Sequence, residues 1–103
     1  MATNYQLSII TPEGKIFDDA VTLLVAKGKE GNLGVLANHT PIIVQLKKGV
    51  LQIKKEQQEQ YFALSSGVLE VGLKNRVLIL ANEAIPASNL NDATSKIKDL
   101  SSN

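Results

Sequence analysis

The sequence contains no cysteine, so neither a disulfide framework nor a thiolate metal site can be built from it, and the redox compartment stays open. Aromatic side chains are scarce: two Tyr, two Phe and no Trp. That scarcity counts against a sugar-binding module built on aromatic platforms, and against stacking on nucleic acid bases. No apolar run approaches the roughly 18 residues of a membrane span, and Met1-Ala2-Thr3-Asn4 lacks the charged-then-apolar pattern of a secretion signal. A formal net charge of +1 gives no global field to draw the chain onto nucleic acid or an anionic membrane. Its densest basic cluster, Lys47, Lys48, Lys54 and Lys55, is interrupted by Glu56 and Glu59 and reads as a solvated hairpin.

Catalytic constellations are equally thin. His39 is the one histidine, with only the Thr40 hydroxyl beside it, so a general base has no visible partner. Asp18 and Asp19 are adjacent carboxylates whose better account is turn chemistry at the surface. One His and scattered acids give no metal-ligand spacing. The sequence therefore predicts no catalytic residue, no metal and no cofactor.

What is present is a rhythm of short Val-, Ile- and Leu-rich segments between turn signals, the pattern of a sandwich or barrel rather than of βαβ units. A length of 103 residues fits one modest core. The predicted strands are Tyr5 to Ile10, Lys15 to Phe17, Val21 to Ala26, Leu33 to Leu36, Ile42 to Gln45, Val50 to Lys54, Gln60 to Leu64, Val68 to Val71 and Val77 to Ala81. Leu51-Gln52-Ile53-Lys54 alternates, so one face should meet water. Val77-Leu78-Ile79-Leu80 does not alternate, and the favoured reading is a strand covered on both faces, with the tail as the cover.

After Ile85-Pro86 the period changes, and Leu90, Ala93, Ile97 and Leu100 mark the apolar stripe of a helix with Asn89 as N-cap. The expected fold class is thus mainly β: a sandwich of about eight to ten strands over residues 1–86, followed by a single short α-helical tail over residues 87–103.

The densest signal is the segment Gly28-Lys29-Glu30-Gly31-Asn32-Leu33-Gly34-Val35-Leu36-Ala37-Asn38-His39-Thr40-Pro41. Its glycines suit backbone that side chains would obstruct, and Gly28, Gly34 and a further glycine at Gly67 read as structural turn positions. A phosphate cradle would need a helix straight after the glycines, and Val35-Leu36 follows instead. The segment resembles the signature loop of the epsilon subunit of rotary F-type ATP synthases, the subunit called delta in mitochondria. Leu7 to Gly14, Leu64 to Val71 and Val77 to Ala81 match further blocks of that family in order. The family usually reads Pro-Gly-His at Ala37-Asn38-His39 and Ser-Gly-Gly at Ser65-Ser66-Gly67, and both departures keep small or turn-forming residues.

The resemblance implies a non-catalytic rotor subunit of the central stalk, linking the gamma subunit to the ring of c subunits and coupling proton or other ion flow to ATP synthesis. Contact with the catalytic alpha/beta head would come through the complex, and contact with the membrane through partners only. Its place would be the cytoplasmic face of a cell inner membrane or the stromal face of a thylakoid. Glu30, Gly31, Asn32 and Leu33 would face the c ring, and Thr11, Pro12, His39, Thr40, Pro41 and Ile42 would face gamma. From Asn89 to Asn103 a helix reaches about 22 Å, too short for the family's extended inhibitory arm. Family members that bind ATP carry an acid and an arginine where Asn91 and Thr94 stand here, so no ATP site is expected. The alternative is a β-sandwich adaptor that binds other proteins at a sheet edge.

Overall fold

The computed structural model describes residues 3–101. Ten strands follow in chain order: β1 Tyr5–Thr11, β2 Gly14–Val21, β3 Leu23–Gly28, β4 Gly31–Leu36, β5 Ile42–Leu46, β6 Gly49–Lys55, β7 Gln58–Leu64, β8 Gly67–Val71, β9 Arg76–Ala81 and β10 Ala84–Ala87. Helix α1, Leu90–Lys96, and a 3-10 turn, Ile97–Asp99, complete them. The strands bond in the order β10-β7-β6-β3-β5-β8-β9-β1-β2, with β4 added to β3. All pairings are antiparallel except β1 with β9.

The ladder folds into two layers at β3. Leu23 to Val25 pair with β6, whereas Gly28, at the other end, pairs with Leu46 of β5. Inward alternation follows the period-two pattern: Leu7 and Ile9 of β1, Leu24 of β3, Leu51 and Ile53 of β6, and Ile79 of β9 are all at most 1% exposed. Full burial of one such side chain contributes about 1.5–3 kcal/mol, so this interleaved core holds the layers together. Phe17 and Phe62 meet edge to face across the layers, with ring centroids 5.9 Å apart.

Three expectations need correction. Asp18 and Asp19 lie within β2 rather than in a turn, and the pleat sends them to different partners. Asp18 accepts from Gln6, Ser8 and Lys15, and Asp19 from Lys55 of β6. A tenth strand, β10, contains Pro86, which an edge strand tolerates because no neighbour needs its missing N–H. Finally, α1 packs against β10, β7 and β6, not against β9. β9 is covered on its inner face, where Val77 and Ile79 are buried, while Leu80 on the outer face is 46% exposed.

Asn89 caps α1 by accepting from the Asp92 N–H at 2.8 Å. The Asp92 carboxylate in turn accepts from the Ser88 N–H at 2.9 Å and from Lys96 at 3.1 Å. Ala93 and Leu100 of the predicted stripe are buried, but Leu90 is 54% exposed.

Candidate interaction surface

The fourteen-residue glycine-rich segment is not one loop. Lys29-Glu30 is the tip of a two-residue hairpin closed by the Gly28–Gly31 pair, β4 then runs the length of the sandwich, and Ala37 to Pro41 form a second turn at its far end. Strand register sorts the other turns between these two poles. Thr11 to Gly14, Lys47-Lys48, Ser65-Ser66 and Asn82-Glu83 join the Gly28 pole, because β1, β5 and β9 all end there. Gly72 to Asn75 share the opposite pole with Asn38.

Glycine is required at only some of these positions. Gly31 has φ +135°, a conformation that side-chain-bearing residues rarely adopt. At Gly67 an added Cβ would lie 2.1 Å from the Leu80 carbonyl oxygen, so close approach of β8 to β9, not turn geometry, excludes a side chain. A Cβ on Gly28 would lie 2.8 Å from the Gly31 carbonyl oxygen. Gly34 corrects the expectation of a turn: it sits inside β4 opposite Val25, with no heavy atom nearer than 3.9 Å to an added Cβ.

Of the residues assigned by resemblance to a c-ring contact, Glu30, Gly31 and Asn32 are exposed at the hairpin, while the half-buried Leu33 packs against the core. The gamma-facing set is divided. Pro12 is exposed at the Gly28 pole, where it lines a cavity of about 480 Å³ with Lys29, Val68 and Leu80. Thr11 is 7% exposed, and its hydroxyl accepts from the Glu13 N–H at 3.2 Å, closing the turn. His39, Thr40 and Pro41 lie at the opposite pole. The His39 Nδ1–H donates to the Thr40 carbonyl at 2.7 Å, so this imidazole braces its own turn. Ile42 points to the core; its neighbour Ile43, 73% exposed, is the residue that faces out.

The far pole is pinned by a pair of amides. Asn38 and Asn75 both occupy the left-handed region, at φ 65° and 55°, which Asn tolerates better than most residues. The Asn38 N–H donates to the Asn75 side-chain oxygen at 2.6 Å, and the Asn75 amide returns a bond to Asn38 at 3.0 Å.

Between the poles, the outer face of β5, β8, β9 and β1 presents two rungs. One is Gln45, Val68, Leu80 and Ile10; the next is Ile43, Glu70, Leu78 and Ser8. Ile43, Val68 and Leu80 are exposed large hydrophobics, joined at the far pole by Leu73 at 76%. Sequence reasoning missed this face as a unit, although the unbroken runs Ile42-Ile43-Val44 and Val77-Leu78-Ile79-Leu80 carried its signal: in a strand, consecutive apolar residues supply both faces.

Hydrogen bonds hold Asp18 below the usual carboxylate range, with Gln6 the largest contributor, and Lys55 does the same for Asp19. Burial raises the Tyr5 phenol, whose hydroxyl donates to the Val35 carbonyl at 2.7 Å. None of these groups is poised for proton transfer near neutrality. Among the described residues, no cluster of His, Asp or Glu could hold a metal ion.

Together the fold and the exposed rungs define a β-sandwich with an apolar outer face on one layer. The chain belongs to the ATP synthase delta/epsilon chain family: the profile of that family's β-sandwich domain matches residues 4–87. The ATP synthase epsilon chain of Pelotomaculum thermopropionicum is 41% identical over 88 residues, covering 85% of this chain and 65% of that one. The epsilon chain of Desulforudis audaxviator is 42% identical over 79 residues, covering 77% and 57%. Among solved structures, a chain of the Euglena gracilis mitochondrial ATP synthase, in an assembly of OSCP, F1 and c-ring, superposes with a TM-score of 0.79 at 26% identity, covering 84% of this chain and 55% of that one. The chain therefore spans between 55% and 65% of the length of these three relatives.

Proposed function

We propose that this protein is a central-stalk rotor subunit of an F-type ATP synthase, joining the gamma subunit to the c ring so that ion flow and ATP synthesis stay coupled. It takes no part in the chemistry itself, needs no cofactor, and meets the membrane and the alpha/beta head only through its partners, on the cytoplasmic or stromal side. The observation that carries this reading is the family match across residues 4–87. The surface supports it: a torque-bearing joint needs a stiff body and broad adhesive faces, and exposed apolar rungs on a rigid sheet supply both.

The division of the poles refines the assignment of contacts. The Glu30-Gly31-Asn32 hairpin offers exposed backbone and polar side chains to the polar loops of a c ring. Gamma then takes the outer face of β5, β8, β9 and β1, reached from Pro12 at one pole and from His39 to Pro41 at the other.

Tagged protein recovered from native membranes should bring gamma, alpha and beta with it, identified by mass spectrometry. Unrelated partners without any ATP synthase chain would replace the stalk with the adaptor reading. Glu30→Lys should weaken attachment of the catalytic head to membranes while leaving the isolated fold intact; unchanged attachment would remove the hairpin from the ring contact.

A further inference from the structure

The pole clasped by Asn38 and Asn75 carries charge that the chain itself leaves unused. Lys74 and Arg76, the latter the sole arginine of the sequence, flank Asn75. Neither forms an ion pair among the described residues. Both line a polar cavity of about 660 Å³ that Gln6, Ser8, Lys15 and Asp18 also border. Asp18 is the one acid in that lining, and it is already engaged by Gln6 at 2.8 Å, Ser8 at 3.0 Å and Lys15 at 3.2 Å. The cavity therefore keeps an uncompensated positive rim. Arg76 is shared with a second cavity of about 300 Å³, walled by Leu73, Leu78 and Glu70. Beyond it, Pro41, Ile43 and Leu73 line an apolar groove.

The combination runs across one surface: exposed Leu73 and Ile43, then Leu78, then the cationic rim of Arg76 and Lys74. The turn that presents it is held by the Asn38–Asn75 bonds and by the Gln6 N–H, which donates to the Asn75 carbonyl at 3.0 Å. With the turn's backbone held, only the Lys74 and Arg76 side chains must be ordered on receiving a partner. Glu70, on the apolar side, repels an acid there and so confines it to the Lys74–Arg76 side.

We propose that this pole is a docking site for an amphipathic segment of the stalk partner, whose apolar side chains cover Ile43 and Leu73 while a carboxylate seats between Lys74 and Arg76. The proposal rests on the stalk reading above. It specifies the chemistry of the partner: acid at one edge, aliphatic on the other. Arg76 is the directional member, since its planar fork meets a carboxylate through two parallel N–H bonds.

The test measures binding of the purified full chain to ATP synthase stripped of this subunit, across a salt series. The wild-type chain should bind, with affinity falling as salt rises. Arg76→Glu should weaken binding roughly tenfold and flatten the salt dependence, Ile43→Asp should weaken it without flattening, and the distant control Lys98→Glu should leave it unchanged. Neither Arg76 nor Ile43 is buried, so melting temperatures should stay near wild type and certify the fold. If the wild-type chain binds and Arg76→Glu binds equally well with the same salt slope, the docking site is overturned and the stalk reading stands. The docking site is likewise overturned if Lys98→Glu costs as much as Arg76→Glu, because the attraction is then generic. If the wild-type chain does not bind at all, the stalk reading fails and the proposal falls with it.

Discussion

On the outer side of one layer, Ala63 of β7 lies between Val50 and Ile85 at 0% exposure, with α1 packed over β6, β7 and β10. On the outer side of the other, Leu80 of β9 lies between Val68 and Ile10 at 46% exposure, and no helix of the described residues covers it. The more hydrophobic strand is the bare one. The hydrophobicity of a strand, then, does not by itself decide where a chain covers itself. Small residues let a short helix approach closely, as Ala93 does over β7, whereas bulky ones on β9 leave a surface that only a larger partner can match.

Charge placed on each face in turn should separate the two layers most clearly. Ala63→Asp should destabilise the protein by about 3 kcal/mol or more in urea denaturation, because it buries an unpaired carboxylate under the helix. Leu80→Asp should cost about 1 kcal/mol or less in the same assay. Equal losses would mean that β9 is covered after all.

A milder substitution isolates the helix. Asn89→Ala should cost about 1 kcal/mol by removing the bond to the Asp92 N–H, with no loss from a matching change on the bare face such as Val68→Thr.

Acid should act on the same element. Hydrogen bonding, chiefly from the Ser88 N–H, lowers the Asp92 carboxyl below its ordinary value. In the window between the folded and unfolded values the unfolded chain binds more protons, so the stabilisation is present above about pH 4 and fades as pH falls through the lower folded value. Asp18 and Asp19, which are lowered likewise, contribute in the same direction. Melting temperature should therefore drop on acidification, and Asp92→Asn should blunt that drop.

Nucleotide should do nothing to either face. Millimolar ATP should leave the melting temperature unmoved, since Asn91 and Thr94 offer no guanidinium or carboxylate and the Thr94 hydroxyl is spent on the Leu90 carbonyl at 2.9 Å. A rise of several degrees would reveal a nucleotide site on the covered face.

Much of the sandwich was legible because its strands alternate cleanly: β1, β3 and β6 each declare an inner face, and Thr11-Pro12, Lys47-Lys48, Ser65-Ser66 and Lys74-Asn75 punctuate them as turn chemistry requires. β10 was hidden by Pro86, a residue that argues against a strand until an edge position excuses it. Asp18 and Asp19 misled because carboxylates signal turns more often than strands, and only the cross-layer lysine at position 55 explains their place. The surface was less legible still. Gly28 and Pro41 are near neighbours in sequence, yet β4, of which the sequence marked only Leu33 to Leu36, separates them by the height of the fold. Ile42 and Ile43 could not be told apart until the register with β8 set one inward and the other outward.

β4 also has a mechanical meaning. An extended strand is already near its full contour, at about 3.4 Å per residue, and cannot lengthen under tension without breaking covalent geometry. Its six residues are zipped to β3 by pairs that must all shear together when load runs along the axis. The segment therefore behaves as a tie-rod. A pull on the Glu30 hairpin reaches the Asn38 clasp through the backbone itself, with little of it lost in stretching the strand between.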